Sequence, residues 1–153
     1  MRVDVLTIFP EMFEVPMSTS MLGIAQDKGA LEFHAHDLRT WTNDFHRTID
    51  DAPYGGGQGM VMKPAPLFEG VEFIKTEVEP LKSKVIFFTP TGKTFNQKMA
   101  EELAQYDSLI MVCGRYEGFD QRAVDELADI ELSVGDYVLT GGELPAMVVI
   151  DAL

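Results

Sequence analysis

The chain has 153 residues, 46% of them hydrophobic and 24% charged, and a formal net charge of −13. That is enough for one domain with a real core, and it lacks the basic footprint that non-specific nucleic-acid binding requires. The one cysteine, Cys113, excludes an internal disulfide and suits a reducing compartment.

No apolar run approaches the ~20 residues of a membrane span, and Met1-Arg2 leads straight into a strand pattern instead of a signal peptide; a cytoplasmic protein with no membrane contact is expected. The charge is uneven, net −3 over residues 1–100 and net −10 over residues 101–153. A basic surface would have to come from the first two-thirds, from a second subunit or from chain not present here.

Val3 to Ile8 reads as the first strand, and Pro10 is placed to open a helix anchored by Met12 and Phe13. Ser18 to Asp27 has helical spacing closed near Gly29. Leu31, Phe33 and Ala35 alternate with Glu32, His34 and His36, a strand with one polar face. His34 and His36 have the spacing of a metal pair, but without a third ligand nearby a solvated surface is the simpler reading, and no metal is expected.

Asp37 to Met62 shows no periodicity, and so long an irregular stretch is usually functional or mobile. It holds Trp41, His46, Arg47, Asp50, Asp51 and the run Tyr54-Gly55-Gly56-Gly57-Gln58-Gly59. This is no dinucleotide fingerprint, because the third glycine is missing in either register and no strand precedes it. A lid hinge is the alternative to a ligand loop. Lys63 to Glu79 then predicts a helix from Pro64, with Leu67, Val71 and Ile74 on one face.

Val85 to Phe88 reads as a buried strand ended by Thr89-Pro90-Thr91-Gly92. Gly92-Lys93-Thr94 imitates the tail of a phosphate-binding loop, but the first glycine of that motif would fall on Phe87. Thr94 with Gln97 reads as a capping box for a helix to Tyr106. Leu109 to Cys113 is another buried strand, followed by Gly114-Arg115-Tyr116-Glu117-Gly118. Asp120 opens a helix with Val124, Leu127 and Ala128 on one face.

Ile130, Leu132 and Val134 mark the last strand, which ends in the loop from Gly135 to Gly142. Glu143 to Leu153 has helical spacing with Leu144, Met147, Val148 and Leu153 on one face. It stops without a glycine, a proline or a basic last turn, from which a longer protein is expected.

Two glycine loops at the carboxyl ends of neighbouring strands form a crevice, the default ligand site of an open α/β sheet. Glycines there let a flat ligand approach main-chain N–H and C=O groups that can read a purine edge. Alternatively, Gly114 and Gly118 merely cap elements and Tyr116 packs in the core. The expected fold class is α/β, about five mainly parallel strands with helices on both faces.

The phrases CGRYEGFDQR and SVGDYVLTGGELPAMVVIDA resemble the signature loops of the bacterial tRNA (guanine-N1)-methyltransferases, S-adenosylmethionine enzymes of the SPOUT superfamily with a knotted α/β fold. DDAPYGGGQGM resembles a third signature and FPEMF a fourth, all in order along the chain. The resemblance implies a SPOUT-type domain over residues 1–153, with a trefoil knot near the carboxyl end where the chain after Gly142 threads an earlier loop. It also implies a homodimer with active sites at the subunit boundary, and a helical RNA-binding domain beyond this chain.

The implied reaction is methyl transfer from S-adenosylmethionine to N1 of the guanine just 3′ of the tRNA anticodon. By resemblance the donor pocket comprises Phe88, Thr89, Pro90, Gly114, Val134, Gly135, Asp136, Tyr137, Val138, Leu139, Gly141, Gly142 and Pro145. Substrate contacts fall on Tyr54, Gly59 and Glu117, with Glu117 holding the guanine edge. Arg115 is expected to meet a phosphate or a carboxylate, or else to form an ion pair with Glu117 or Asp120. The family's general base is an aspartate after the point where this chain stops. Asp136 is therefore not the base, although it is expected in the pocket. Gln58, where many relatives have proline, affects only local stiffness.

The chain alone is then expected to bind the donor without methylating tRNA. The rivals are a donor-binding module without chemistry, and an acidic adaptor that would not bind the donor. A branched side chain at Gly141 is expected to fill ligand space and leave the fold intact.

Overall fold

Strands that are apolar on both faces need helices above and below them, and this sequence supplies both layers. The structure, a computed structural model, describes residues 1–51, 61–115 and 118–153. In chain order the elements are β1 (Arg2–Thr7), α1 (Glu14–Ser18), α2 (Ser20–Asp27), β2 (Glu32–Asp37), β3 (Asp50–Asp51), β4 (Val61–Met62), α3 (Pro64–Val78), β5 (Ser83–Thr94), α4 (Gln97–Leu103), β6 (Ser108–Val112), α5 (Gln121–Leu127), β7 (Ile130–Ser133) and α6 (Glu143–Ala152).

Five strands form one sheet in the order β2-β1-β6-β5-β7, and every pairing in it is parallel. The expected α/β class is what the chain adopts. Alternate residues of the central strands point into separate cores. Leu6, Phe87, Ile110 and Val112 meet Leu67, Val71 and Ile74 of α3 and Val124 and Leu127 of α5 on one face. Val3, Val5, Ile86, Leu109 and Met111 meet Phe13, Met17, Met99, Leu103, Ala146 and Val149 on the other.

Several local expectations change. Pro10–Phe13 is a 3-10 turn that feeds α1. The helix after β5 is capped by Asn96, whose side chain accepts from Met99 N at 2.9 Å, and it ends at Leu103. Thr94 cannot cap it, because Lys93 and Thr94 pair with Leu132 and Ser133 and extend β5. Gly92-Lys93-Thr94 is thus strand, and a Cβ on Gly92 would lie 2.7 Å from the Glu131 carbonyl.

His36 is not simply solvated. Its Nε2 lies 2.8 Å from Oδ1 of the fully buried Asp4, which also accepts from Arg2 Nε at 2.8 Å.

In α6 the buried side is Glu143, Pro145, Ala146, Val149 and Ile150, while Leu144 and Val148 are half exposed. Of the expected face, Met147 and Leu153 pack against the core while Leu144 and Val148 turn outward, because α6 is apolar nearly all round and packing decides which side faces in.

Candidate active site

Parallel strands deliver their following loops to one edge of the sheet. At the carboxyl edge of β5, β6 and β7 these loops enclose a cavity of about 430 Å³. Its wall includes Phe88, Thr89 and Pro90 in the irregular middle of β5, Gly114 and Arg115 after β6, and Val134, Tyr137, Val138, Leu139, Gly141, Gly142 and Pro145 after β7. Among the described residues, the N–H groups of residues 137–141 donate to no protein acceptor.

Gly135 and Asp136 are not in that wall. Ser133 Oγ donates to the Gly135 carbonyl at 2.8 Å, and the Tyr137 ring folds over Gly135, leaving no room for a Cβ there. Tyr54, Gly59 and Glu117 lie outside the described residues. The ends of the segment that carries Tyr54 and Gly59 are held by the β3–β4 pair, where Asp50 faces Met62 and Asp51 faces Val61. β4 in turn meets the cavity loop: Met62 N donates to the Gly118 carbonyl at 2.9 Å, and Met62 bridges to Phe119.

Each glycine of the wall has its own reason. Gly118 has φ +115°, which L side chains rarely adopt. Gly114 instead makes room for a neighbour: a Cβ there would lie 2.8 Å from the Phe119 ring, which packs edge-on to Phe87 with centroids 4.8 Å apart.

Glu117 lies outside the described residues, and Asp120 is not the partner of Arg115. Asp120 caps α5 and binds Arg122 at 2.7 Å, whereas Arg115 Nε lies 3.2 Å from Oε2 of Glu143. Arg115 Nη1 also reaches the Thr140 carbonyl at 3.3 Å, and the guanidinium sits over the Phe9 ring, 4.7 Å from its centroid.

Behind the pair, Cys113 is fully buried; burial first, then the Glu143 carboxylate, push its thiol well above the ordinary range, with Arg115 opposing. It therefore stays a neutral thiol, unsuited to nucleophilic chemistry.

The reading from sequence missed Glu143, along with Thr91, Phe119, Glu131 and Thr140 in the cavity wall. An acid at the first position of a helix is ordinarily read as a favourable charge on the helix dipole, so its burial gave no signal. Phe119 was more accessible to inference, as a large ring one position after a glycine in a loop.

A family profile described as tRNA (Guanine-1)-methyltransferase TrmD matches residues 1–153. Three relatives, each named tRNA (guanine-N(1)-)-methyltransferase, align with the whole chain: 55% identity with that of Dictyoglomus turgidum, 53% with that of Heliobacterium modesticaldum and 54% with that of Chloroflexus aggregans. The chain covers 60%, 58% and 60% of those proteins, respectively. With its entire length inside the profile and relatives of that name at 53–55% identity, the chain belongs to the tRNA (guanine-1)-methyltransferase family.

Proposed function

We propose that the cavity binds S-adenosylmethionine, and that the protein containing this domain methylates N1 of the guanine just 3′ of the tRNA anticodon. The observation that carries this reading is the cavity itself. The glycine loops at Gly114, Gly141 and Gly142 bring main chain to its wall, and Phe88, Leu132 and Pro145 supply apolar surface. When bound, the donor supplies an electrophilic methyl group, and what the protein must add is alignment and removal of the guanine proton.

Arg115 offers a fixed cation for a phosphate or carboxylate at the cavity wall. Glu143 is unsuited to take the proton, because it is buried and already engaged by Thr7 and Arg115. Glu117 remains our candidate for the guanine edge, with Tyr54 and Gly59 as further substrate contacts.

Calorimetry should show S-adenosylmethionine binding. With the full-length protein, label from its methyl group should enter tRNA carrying guanine at that position and not tRNA carrying adenine there. Equal labelling of both tRNAs would overturn the substrate assignment, and no heat with the donor would overturn the pocket.

We also propose the homodimer. Its support is an exposed apolar surface across α1, α2 and α6, where Val15, Met21, Leu144 and Val148 are 71%, 70%, 52% and 51% exposed. These helices border one groove lined by Pro16, Met21, Leu22 and Met147. Val148→Asp should convert a dimer into a monomer in sedimentation, and an unchanged sedimentation coefficient would argue for another interface.

The knot belongs to the same reading. Its support is the close approach of the chain at Gly142 to the end of β6, where Gly142 N donates to the Gly114 carbonyl at 3.0 Å and a Cβ would lie 2.8 Å from Cys113 Cα.

A further inference from the structure

Glu143 opens α6 but does not act as an exposed helix-end charge. Its side chain is 1% exposed, and its two oxygens face two different parts of the chain. Oε1 accepts from Thr7 Oγ1 at 2.8 Å, at the end of β1 and 136 positions away in sequence. Oε2 lies 3.2 Å from Arg115 Nε, just after β6. The Nε–H is not aligned on Oε2, and neither atom completes a hydrogen bond with another described group. The attraction between them is therefore Coulombic, in a site where water screens little.

The rest of the guanidinium is fixed as well. Nη1 donates to the Thr140 carbonyl at 3.3 Å and contacts its Oγ1 at 3.4 Å, Nη2 touches Met12 Sδ at 3.3 Å, and the plane rests over Phe9. Thr7 also accepts from Phe9 N at 2.9 Å, which fixes the ring under the guanidinium. Arg115 and Thr140 both line the cavity, whereas Glu143 and Thr7 do not.

We propose that Glu143 is a positioning residue for the donor pocket. Supported by Thr7, it holds Arg115, and through Arg115 it keeps the loop after β6 and the loop after β7 at a fixed separation. The proposal rests on the cavity being the donor site. A helix-capping role would require Glu143 only near its own helix; this role couples it to a cavity residue that it reaches through another side chain.

The test is a double-mutant cycle on donor affinity in the full-length protein. Glu143→Gln and Arg115→Ala should each raise the donor Kd about tenfold, and the double variant should raise it about tenfold again from wild type, not a hundredfold, since the second change removes a link already broken. Multiplicative losses, or an unaltered Kd in Glu143→Gln, would overturn the proposal.

Thr7→Val and Thr7→Ser guard against a folding failure at Glu143. The first, close in shape and without the hydroxyl, should weaken donor binding several-fold, and the second should match wild type. Equal affinity for both would count against the network.

A readout without donor separates this proposal from the assignment of the pocket. In NMR spectra the Arg115 Nε–H should exchange slowly in wild type and quickly in Glu143→Gln. If the exchange rates are the same, Glu143 does not hold Arg115, whatever the cavity binds. If they differ while wild type binds no donor, the positioning stands and the donor reading fails.

Discussion

Gly141→Ala is expected to lower the melting temperature sharply and to weaken donor binding by about a hundredfold or more, roughly 2.7 kcal/mol. Ligand space alone would make the fold indifferent to this change and valine far worse than alanine. The structure assigns a different cause. A Cβ on Gly141 would overlap Arg115 Nε and lie 2.5 Å from Glu143 Oε2 and 2.7 Å from Arg115 Cζ. The first carbon of any side chain therefore drives a buried ion pair apart.

Separating a buried pair leaves a desolvated carboxylate, at a cost of about 3–5 kcal/mol against a domain stability of about 5–15 kcal/mol. Alanine should then be nearly as harmful as valine, in thermal unfolding without ligand as well as in calorimetry with it. A Gly141→Ala protein that unfolds at the wild-type temperature would return the glycine to the ligand and refute the ion-pair account.

Asp4→Ala should be the most damaging single change away from the cavity, with a loss of about 3–5 kcal/mol in chemical denaturation. Asp4 is fully buried on β1 and accepts from Arg2 Nε at 2.8 Å and Nη2 at 3.0 Å, with His36 Nε2 at 2.8 Å on its other side. Alanine leaves those groups facing an apolar hole. The pH dependence carries a sign.

Burial pushes the Asp4 carboxyl up, but hydrogen bonds from His36 and Arg2 outweigh it and hold the group below the ordinary value of 3.8. The folded state thus binds fewer protons than the unfolded chain in this range. The contribution is complete above about pH 4 and disappears as the pH falls through the depressed folded value. Asp4→Asn should accordingly flatten the acid limb of a stability–pH curve relative to wild type. Parallel acid limbs for the two proteins would show that the pair carries no net stabilisation. The effect bears on the site because Asp4 fixes β1, and β1 ends at Thr7 beneath Glu143.

How legible this was depends on which force set each feature. β6 and α3 could be read because burial alone fixed them, through a continuous apolar run or a three-to-four residue period. The crevice followed from strand order logic, since parallel strands gather their loops at one edge. The phase of α6 was only half legible, because Leu144 and Val148 are as apolar as Val149 and Ile150, and contacts with α4 and the Pro10–Phe13 turn chose between them. Glu143 was opaque for a related reason: burial of a carboxylate depends on Thr7 and Arg115 arriving from far along the chain. The pairing of His36 with Asp4 likewise spans two strands that a single-strand alternation pattern does not see.

The excursion in β5 has a consequence for how readily the cavity accepts a guest. Phe88 and Lys93 both pair with Leu132, so β5 bulges between them and returns to the same partner. A loop clamped at both feet by one residue has little conformational freedom to lose. Its closure entropy is settled during folding, and a molecule arriving against Thr89 and Pro90 meets a rim already in place. On that side of the cavity, affinity is limited by the fit of the ligand and not by any need to organise the wall.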